Sequence, residues 1–296
     1  MIKNIVKIAF FCIVVCLLGA CVDNTFVEGT DEPRVEEGIP MTVDLSFQVE
    51  KTAVVQTRAA ASVNAENKVL NIYVFAFNGD GTLDNKQFYL DGDSYWEKTN
   101  EKDTENDDPT TGTIKNFAIH SGNDKTFYAV ANVGYSGLEK QALDVVSNKN
   151  DLLNLAFTLS QAANIQRTYF VMTGQLGDDS DSDGTIDKYT YNVAAGTNTL
   201  SGKLYFKRTD ARITFNLTAR NDNGYDNFSF VPKNYRVFNI SRSSYLFEQE
   251  NDASGEYNDL PSALSFDLAN NGAGVTSTFD FYVQENRLDP TAEITE

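Results

Sequence analysis

The chain of 296 residues is poor in the side chains that carry most protein chemistry, with three cysteines, one histidine and one tryptophan. All three cysteines, Cys12, Cys16 and Cys21, lie at the amino terminus. Beyond Cys21 the chain therefore has no internal disulfide, no cysteine nucleophile and no Cys/His zinc site. Histidine chemistry rests on His120 alone, which closes a strand-like stretch and is expected to be a hydrogen-bonded structural residue rather than a base. Positive charge is scarce too: 24 Lys+Arg stand against 42 Asp+Glu, a net charge of −18. That balance leaves no basic footprint for nucleic acid and repels polyphosphate. Carboxylates are so plentiful that a glycosidase pair can be drawn anywhere and none stands out. The chain is not expected to be an enzyme or to require a cofactor, and its 41% apolar content suffices for a sizeable core.

What the amino terminus does have is an address. Lys3 and Lys7 precede an apolar run over residues 8–18, too short to span a bilayer but of the length of a secretory signal. The run ends in Leu18-Gly19-Ala20-Cys21, the small-residue pattern that precedes a lipid-modified cysteine in bacterial lipoproteins. Residues 1–20 are read as the signal peptide and Cys21 as the lipidation site, an outer-membrane anchor before processing. The plainer alternative is a secretory signal with an incidental cysteine. Removing residues 1–20 takes away two lysines and no acid, moving the net charge from −18 to −20. An anionic membrane surface would repel such a chain, so attachment would fall to the acyl chains, each buried methylene contributing about 0.8 kcal/mol.

Residues 22–40 are acidic and interrupted by Gly29, Pro33 and Gly38, a composition expected of a solvated tether. The pattern then changes. Val43, Leu45, Phe47 and Val49 alternate with Asp44, Ser46, Gln48 and Glu50, the period of a strand with one buried face. Arg58 follows, succeeded by Ala59 and further small residues, a segment suited to a trypsin-like protease. The alternative is an ordinary surface arginine in a connector.

The remainder reads as all-β. Residues 68–77 are apolar on both faces and β-branched or aromatic, as a central strand should be, and Asn78-Gly79-Asp80-Gly81 supplies a tight turn into a return strand over 82–90. An acidic loop is expected over 91–112, and further short strands over 126–133, 152–159, 168–173 and 189–193. One short helix is expected near Ser136, with Glu139 completing a capping box and Leu138, Ala142, Val145 and Val146 forming its apolar stripe. A second block of alternation begins near Gly202 with Leu204 and Phe206, followed by Ile213, Phe215 and Leu217, Tyr235 and Val237, and Phe279, Phe281 and Val283. Short strands between Gly/Asn/Asp-rich turns point to two consecutive β-sandwiches, residues 59–200 and 201–296. One continuous sandwich with insertions is the alternative. The last strong strand runs almost to Glu296, so the second domain is expected to lack closing strands.

Several segments in order resemble one family. They are the lipobox at Cys21, the strand before Arg58, Val-Leu-Asn-Ile-Tyr-Val-Phe-Ala-Phe-Asn-Gly-Asp-Gly (69–81) and Phe-Tyr-Ala-Val-Ala-Asn-Val-Gly (127–134). To these add Tyr-Phe-Val-Met-Thr-Gly (169–174), Phe-Lys-Arg-Thr-Asp-Ala-Arg-Ile-Thr-Phe (206–215) and Phe-Tyr-Val-Gln-Glu-Asn (281–286). Together they resemble the fimbrillins, subunits and anchors of the type V pili of Bacteroidales. The resemblance implies two transthyretin-like, Greek-key sandwiches and delivery to the outer membrane as a lipoprotein. It also implies removal of residues 21–58 by a trypsin-like protease after Arg58, and polymerisation with other fimbrial subunits by exchange of the strand carrying Val43, Leu45, Phe47 and Val49. Members usually continue past the Glu-Asn region with the strand that donates.

Two other features are set against this reading. Asp179, Asp181, Asp183 and Asp187 have the D-x-D-x-D-G-x-x-D spacing of a calcium loop, although Thr190 stands where a bidentate Glu belongs and no helices flank it. The alternative is a solvated acidic hairpin. Trp96 beside Tyr95, in the acidic loop, could stack on a sugar, the one aromatic feature favouring the alternative function of a surface glycan-binding lipoprotein.

Overall fold

The strand that reads as apolar on both faces is buried along its whole length, and its two faces seed two different cores. A computed structural model describes residues 34–50, 68–98, 111–135, 138–158, 169–217, 234–235, 240–241, 243–248, 257–258, 266–267 and 277–284. Its strands are β1 (Pro40–Val49), β2 (Asn71–Phe77), β3 (Leu83–Leu90), β4 (Trp96–Lys98), β5 (Thr111–His120), β6 (Gly122–Ala131), β7 (Ala156–Thr158), β8 (Met172–Gly177), β9 (Tyr191–Val193), β10 (Lys203–Arg208) and β11 (Asp210–Leu217). After these come β12 (Asn234–Tyr235), β13 (Ile240–Ser241), β14 (Ser243–Tyr245), β15 (Tyr257–Asn258), β16 (Phe266–Asp267) and β17 (Ser277–Gln284). Two five-residue helices, α1 (Lys140–Asp144) and α2 (Lys149–Leu153), lie between β6 and β7. The fold is all-β.

One nine-stranded sheet runs in the order β3-β2-β6-β8-β10-β1-β5-β4, with β9 paired to β6. Ile72, Val74 and Ala76 of β2 join β1, β5, β8 and β10 side chains in the larger core. Tyr73, Phe75 and Phe77, on the opposite face, pack with Leu138, Leu143, Val146, Leu152, Phe157 and Leu246 in a second core under the helices. The turn from β2 to β3 forms as its residues require: Gly81 takes φ +85°, its N–H donates to the Asn78 carbonyl, and the Asp80 carboxylate accepts the Thr82 N–H at 2.9 Å.

Two asparagines stitch the motifs around this centre. Asn71 Nδ2 donates to the Val133 carbonyl and its Oδ1 accepts the Val133 N–H, while Asn132 Oδ1 accepts the Leu70 N–H. Asn132 Nδ2 donates to the Lys68 and Phe170 carbonyls, joining three chain segments from one buried side chain.

The helical segment differs from expectation. There are two short helices rather than one, and the capping box sits at the second, where Asn148 Oδ1 accepts the Asp151 N–H and the Asp151 carboxylate accepts the Asn148 N–H. Glu139 is the N-cap of α1 without a side-chain capping bond, and Ser136 lies outside the described residues. Val145 is 77% exposed, because α1 ends at Asp144 before the helical period can carry Val145 onto the sheet.

Leu204 and Phe206, which the pattern groups with the second block, belong to the larger core through β10, hydrogen-bonded between β1 and β8. Alternation says which face is buried, not which strands are neighbours. Beyond β10, β11 pairs with β17 from Asp210↔Gln284 to Leu217↔Ser277, and β14 returns to pair with β7.

Candidate assembly groove around the first strand

β1 alternates as its sequence requires. Val43, Leu45, Phe47 and Val49 are 0–3% exposed and point into the larger core, while Asp44, Ser46, Gln48 and Glu50 face outward. The strand occupies an interior position, antiparallel to β5 from Pro40↔His120 to Gln48↔Thr111 and parallel to β10 from Phe47↔Leu204 to Val49↔Phe206. Its N-terminal half is continued on the β10 side by an irregular stretch, in which the Asp44 N–H donates to the Asn198 carbonyl and the Leu200 N–H to the Asp44 carbonyl. Phe47 is the anchor: its ring stands edge-on to Trp96 at 5.5 Å and to Phe206 at 5.9 Å. Gly112 leaves it room, since a Cβ there would lie 2.5 Å from the Phe47 ring.

The rim is charged in a complementary sense. At the bulge between Val43 and Leu45, the Asp44 carboxylate accepts the Asn116 N–H at 3.0 Å and pairs with Lys115 at 3.0 Å. Asn116 adopts φ +54° to present that N–H. Hydrogen bonds to Asp44 and Glu97 hold the Lys115 ammonium above its ordinary pKa. Lys203 donates to Gln48 Oε1 at 3.0 Å, and Lys207 pairs with Glu50 at 3.7 Å. Each such exposed pair adds only about 0–1 kcal/mol, so the lysines select register more than they supply stability.

The approach to β1 is also held, which sequence composition did not reveal. Within the acidic stretch read as a tether, the Val35 N–H donates to Asn123 Oδ1, Asn123 Nδ2 donates to the Val35 carbonyl, and Ser121 Oγ accepts the Ile39 N–H while donating to the Glu36 carbonyl. Gly38 takes φ +84° between them. Residues 35–39 are thus a docked lead-in, anchored by two polar side chains in the β5–β6 corner.

Of the other sequence-derived residues, Cys21, Arg58 and Ala59 lie outside the described residues. Trp96 does not form a sugar platform: it is buried against Phe47, and only Tyr95 stays exposed. Its loop contains β4, which pairs with β5 and turns the indole inward. His120 is 52% exposed, with Nδ1 2.7 Å from Asp84 Oδ1 and its backbone N–H donating to Asp84 Oδ2. In the acidic hairpin, carboxylate oxygens of Asp179, Asp181 and Asp187 come within 4.8 Å of one another. Asp183 stands apart from that trio: its N–H donates to Asp179 and Asp181, and its carboxylate accepts the Thr185 N–H. Three carboxylates are a fair start toward the six to eight oxygens calcium takes.

Sequence reasoning missed a buried lysine. Lys125 in β6 has no exposed surface, and its Nζ bonds Asn78 Oδ1 at 2.7 Å and Asp84 Oδ2 at 2.9 Å. Burial pulls the Asp84 pKa upward, but hydrogen bonds from the His120 N–H, Lys125 and the His120 ring outweigh it and hold the carboxyl below its ordinary value. The available signal was Lys125 standing directly before the largely apolar run 126–133.

Solved structures share this fold. The tip fimbrial protein Mfa3 from Porphyromonas gingivalis, with C-terminal truncation, superposes with a TM-score of 0.51 at 14% identity, covering 85% of this chain and 71% of that one. A fimbrilin (FimA) from Porphyromonas gingivalis W83 gives 0.51 at 18% identity, covering 85% and 68%. A fimbrial assembly protein from Parabacteroides distasonis ATCC 8503 gives 0.50 at 13% identity, covering 83% and 78%. These likenesses define the class: an all-β fold shared with fimbrial proteins. No curated protein sequence matches the chain. The profile of the family described as Major fimbrial subunit protein (FimA) matches residues 40–226, and the chain belongs to that family. It is therefore a fimbrial subunit, with the cell surface as its setting and other fimbrial subunits as its expected partners.

Proposed function

We propose that the chain is a structural, adhesive fimbrial subunit exported as a lipoprotein through Cys21, matured by a trypsin-like protease cutting between Arg58 and Ala59, and assembled by β-strand exchange at the groove that β1 fills. The observation that carries this reading is β1 itself: an interior strand near the amino end of the chain, with four side chains wholly in the core and Arg58 shortly after it. Release of β1 would open a slot with unpaired backbone on both sides, β5 on one and β10 on the other, which another strand must fill. Burying four such side chains contributes roughly 6–12 kcal/mol before ordering costs, enough to hold subunits together. Before cleavage, lipid on Cys21 would hold the precursor in the outer membrane. The acidic hairpin is proposed to take calcium on Asp179, Asp181 and Asp187, stiffening the loop.

Limited trypsin treatment of the soluble 22–296 protein tests the mechanism. Mass spectrometry is expected to find a first cut after Arg58, with the 22–58 piece remaining bound until a synthetic 34–50 peptide or a second subunit displaces it. Resistance at Arg58, or loss of the piece leaving a monomer of unchanged melting temperature, would refute strand exchange.

A further inference from the structure

The Lys125 cluster lies away from the β1 groove, and its geometry is that of a reaction site. Three neighbouring strands meet there: Asn78 directly follows β2, Asp84 stands in β3 and Lys125 in β6. Lys125 reaches the spot because Gly122 has no side chain; a Cβ there would lie 2.9 Å from Lys125 Cε. The Asn78 amide is fixed from its far end, where Nδ2 donates to Thr82 Oγ1 at 3.0 Å, so Oδ1 faces the amine. The Asp84 carboxylate is fixed by His120 and touches the same nitrogen. A buried amine with a carboxamide and a carboxylate each within hydrogen-bond reach of its nitrogen has the parts needed to form an amide between side chains.

We propose that Lys125 and Asn78 join in an intramolecular isopeptide bond, with Asp84 carrying the protons. In the reactive form a proton has passed along the 2.9 Å bond from Lys125 Nζ to Asp84 Oδ2, against the hydrogen bonds that favour the Asp84 carboxylate, leaving a neutral amine beside a carboxylic acid. The Nζ lone pair attacks Asn78 Cγ, forming the Nζ–Cγ bond while the carbonyl π pair moves onto Oδ1. Asp84 delivers its proton to Nδ2, then takes a second proton from Nζ. The carbonyl reforms as the Cγ–Nδ2 bond breaks, releasing ammonia, which takes the second proton from Asp84 and leaves as ammonium. Charge is conserved, and nothing is oxidised or reduced. A cavity of about 600 Å³ beside Asn78, also lined by Thr82, Asp124, Thr126 and Lys149, gives the ammonium a way out. The product staples the end of β2 to β6 and closes a loop in the unfolded chain, as a disulfide does in proteins that have thiols.

Peptide mapping of the full chain, denatured and digested with trypsin, decides the matter. A bond at Lys125 blocks cleavage there, so the expected product is a branched species joining residues 69–86 to 116–140, lighter than the two together by one ammonia. Recovery of 69–86 and 116–125 as separate, unmodified peptides would overturn the proposal and leave Lys125 as a buried ion pair only. Asp84→Asn, checked for folding by circular dichroism, is expected to return both separate peptides. Asn78→Asp is expected to give the same branched species through loss of water. A branched species of unchanged yield in Asp84→Asn would refute the role of Asp84. If Asp84→Asn does not fold, the wild-type map remains decisive.

Discussion

Phe47→Ala is the sharpest test of the groove. The ring is 1% exposed and makes edge contacts with Trp96 and Phe206 at 5.5 and 5.9 Å. A third side is the backbone of Gly112, which has no side chain to move into the space, and β5 cannot shift without breaking its ladder to β1. The cavity therefore stays largely open, and the expected loss is about 3–5 kcal/mol, the upper part of the range for a buried aromatic truncated to alanine. Urea denaturation followed by tryptophan emission reads it directly, because Trp96 is the single tryptophan and sits on the deleted ring. The variant should unfold at lower urea, and its folded emission should shift to the red as the indole gains access to water. Phe47→Leu should recover about half of the loss, since it restores most of the apolar volume. A Phe47→Ala loss below about 1 kcal/mol with unchanged folded emission would refute the placement of β1 in the core.

Gly112→Ala places a methyl group where the Phe47 ring stands and is expected to cost about 1–3 kcal/mol by overpacking, measured by the same denaturation; combined with Phe47→Ala the share due to the ring should vanish, leaving the share from the Glu97 carbonyl, 2.9 Å from the new methyl. Asn148→Ala removes the capping box of α2 and should lower stability by about 0.5–2 kcal/mol in thermal melts without changing trypsin cleavage at Arg58. Calcium titrated calorimetrically into the soluble protein should release heat that Asp179→Asn and Asp187→Asn abolish; absence of heat in the wild type would dispose of the metal loop. Lys115→Ala should produce only a small change in urea midpoint, one that 1 M salt erases.

Local patterns were legible wherever one periodicity dominated. The alternation of β1 and the two-sided apolarity of β2 follow from side-chain order alone, as does the Asn78-Gly79-Asp80-Gly81 turn. Partners were not legible. β1 touches β10 across more than 150 residues, and nothing in Leu204 or Phe206 names β1 as their neighbour. Trp96 reads as a loop residue because β4 is only three residues long, too short to show alternation. Ser136 and Glu139 have the capping-box spacing, but Glu139 is itself the N-cap of α1, and the box forms between Asn148 and Asp151, a pair the pattern did not single out. Lys125 was passed over since a lysine is normally solvated; only the fold brings Asp84 and Asn78 to its amine. The lead-in at 35–39 looked like tether for the same reason, its anchors Ser121 and Asn123 lying some 80 residues away.

The mixed surroundings of β1 have a consequence for the shape of anything built through it. Its slot has one parallel wall and one antiparallel wall, and the two kinds of ladder space and slant their hydrogen bonds differently. A strand entering backwards would have to exchange both patterns at once, and its alternate side chains would miss the pockets left by Val43, Leu45, Phe47 and Val49. Under the proposed exchange, the slot favours a guest running in the direction of β1. If subunits join in the proposed way, their chain is a vector: every link points the same way and the two ends of the fibre are chemically different.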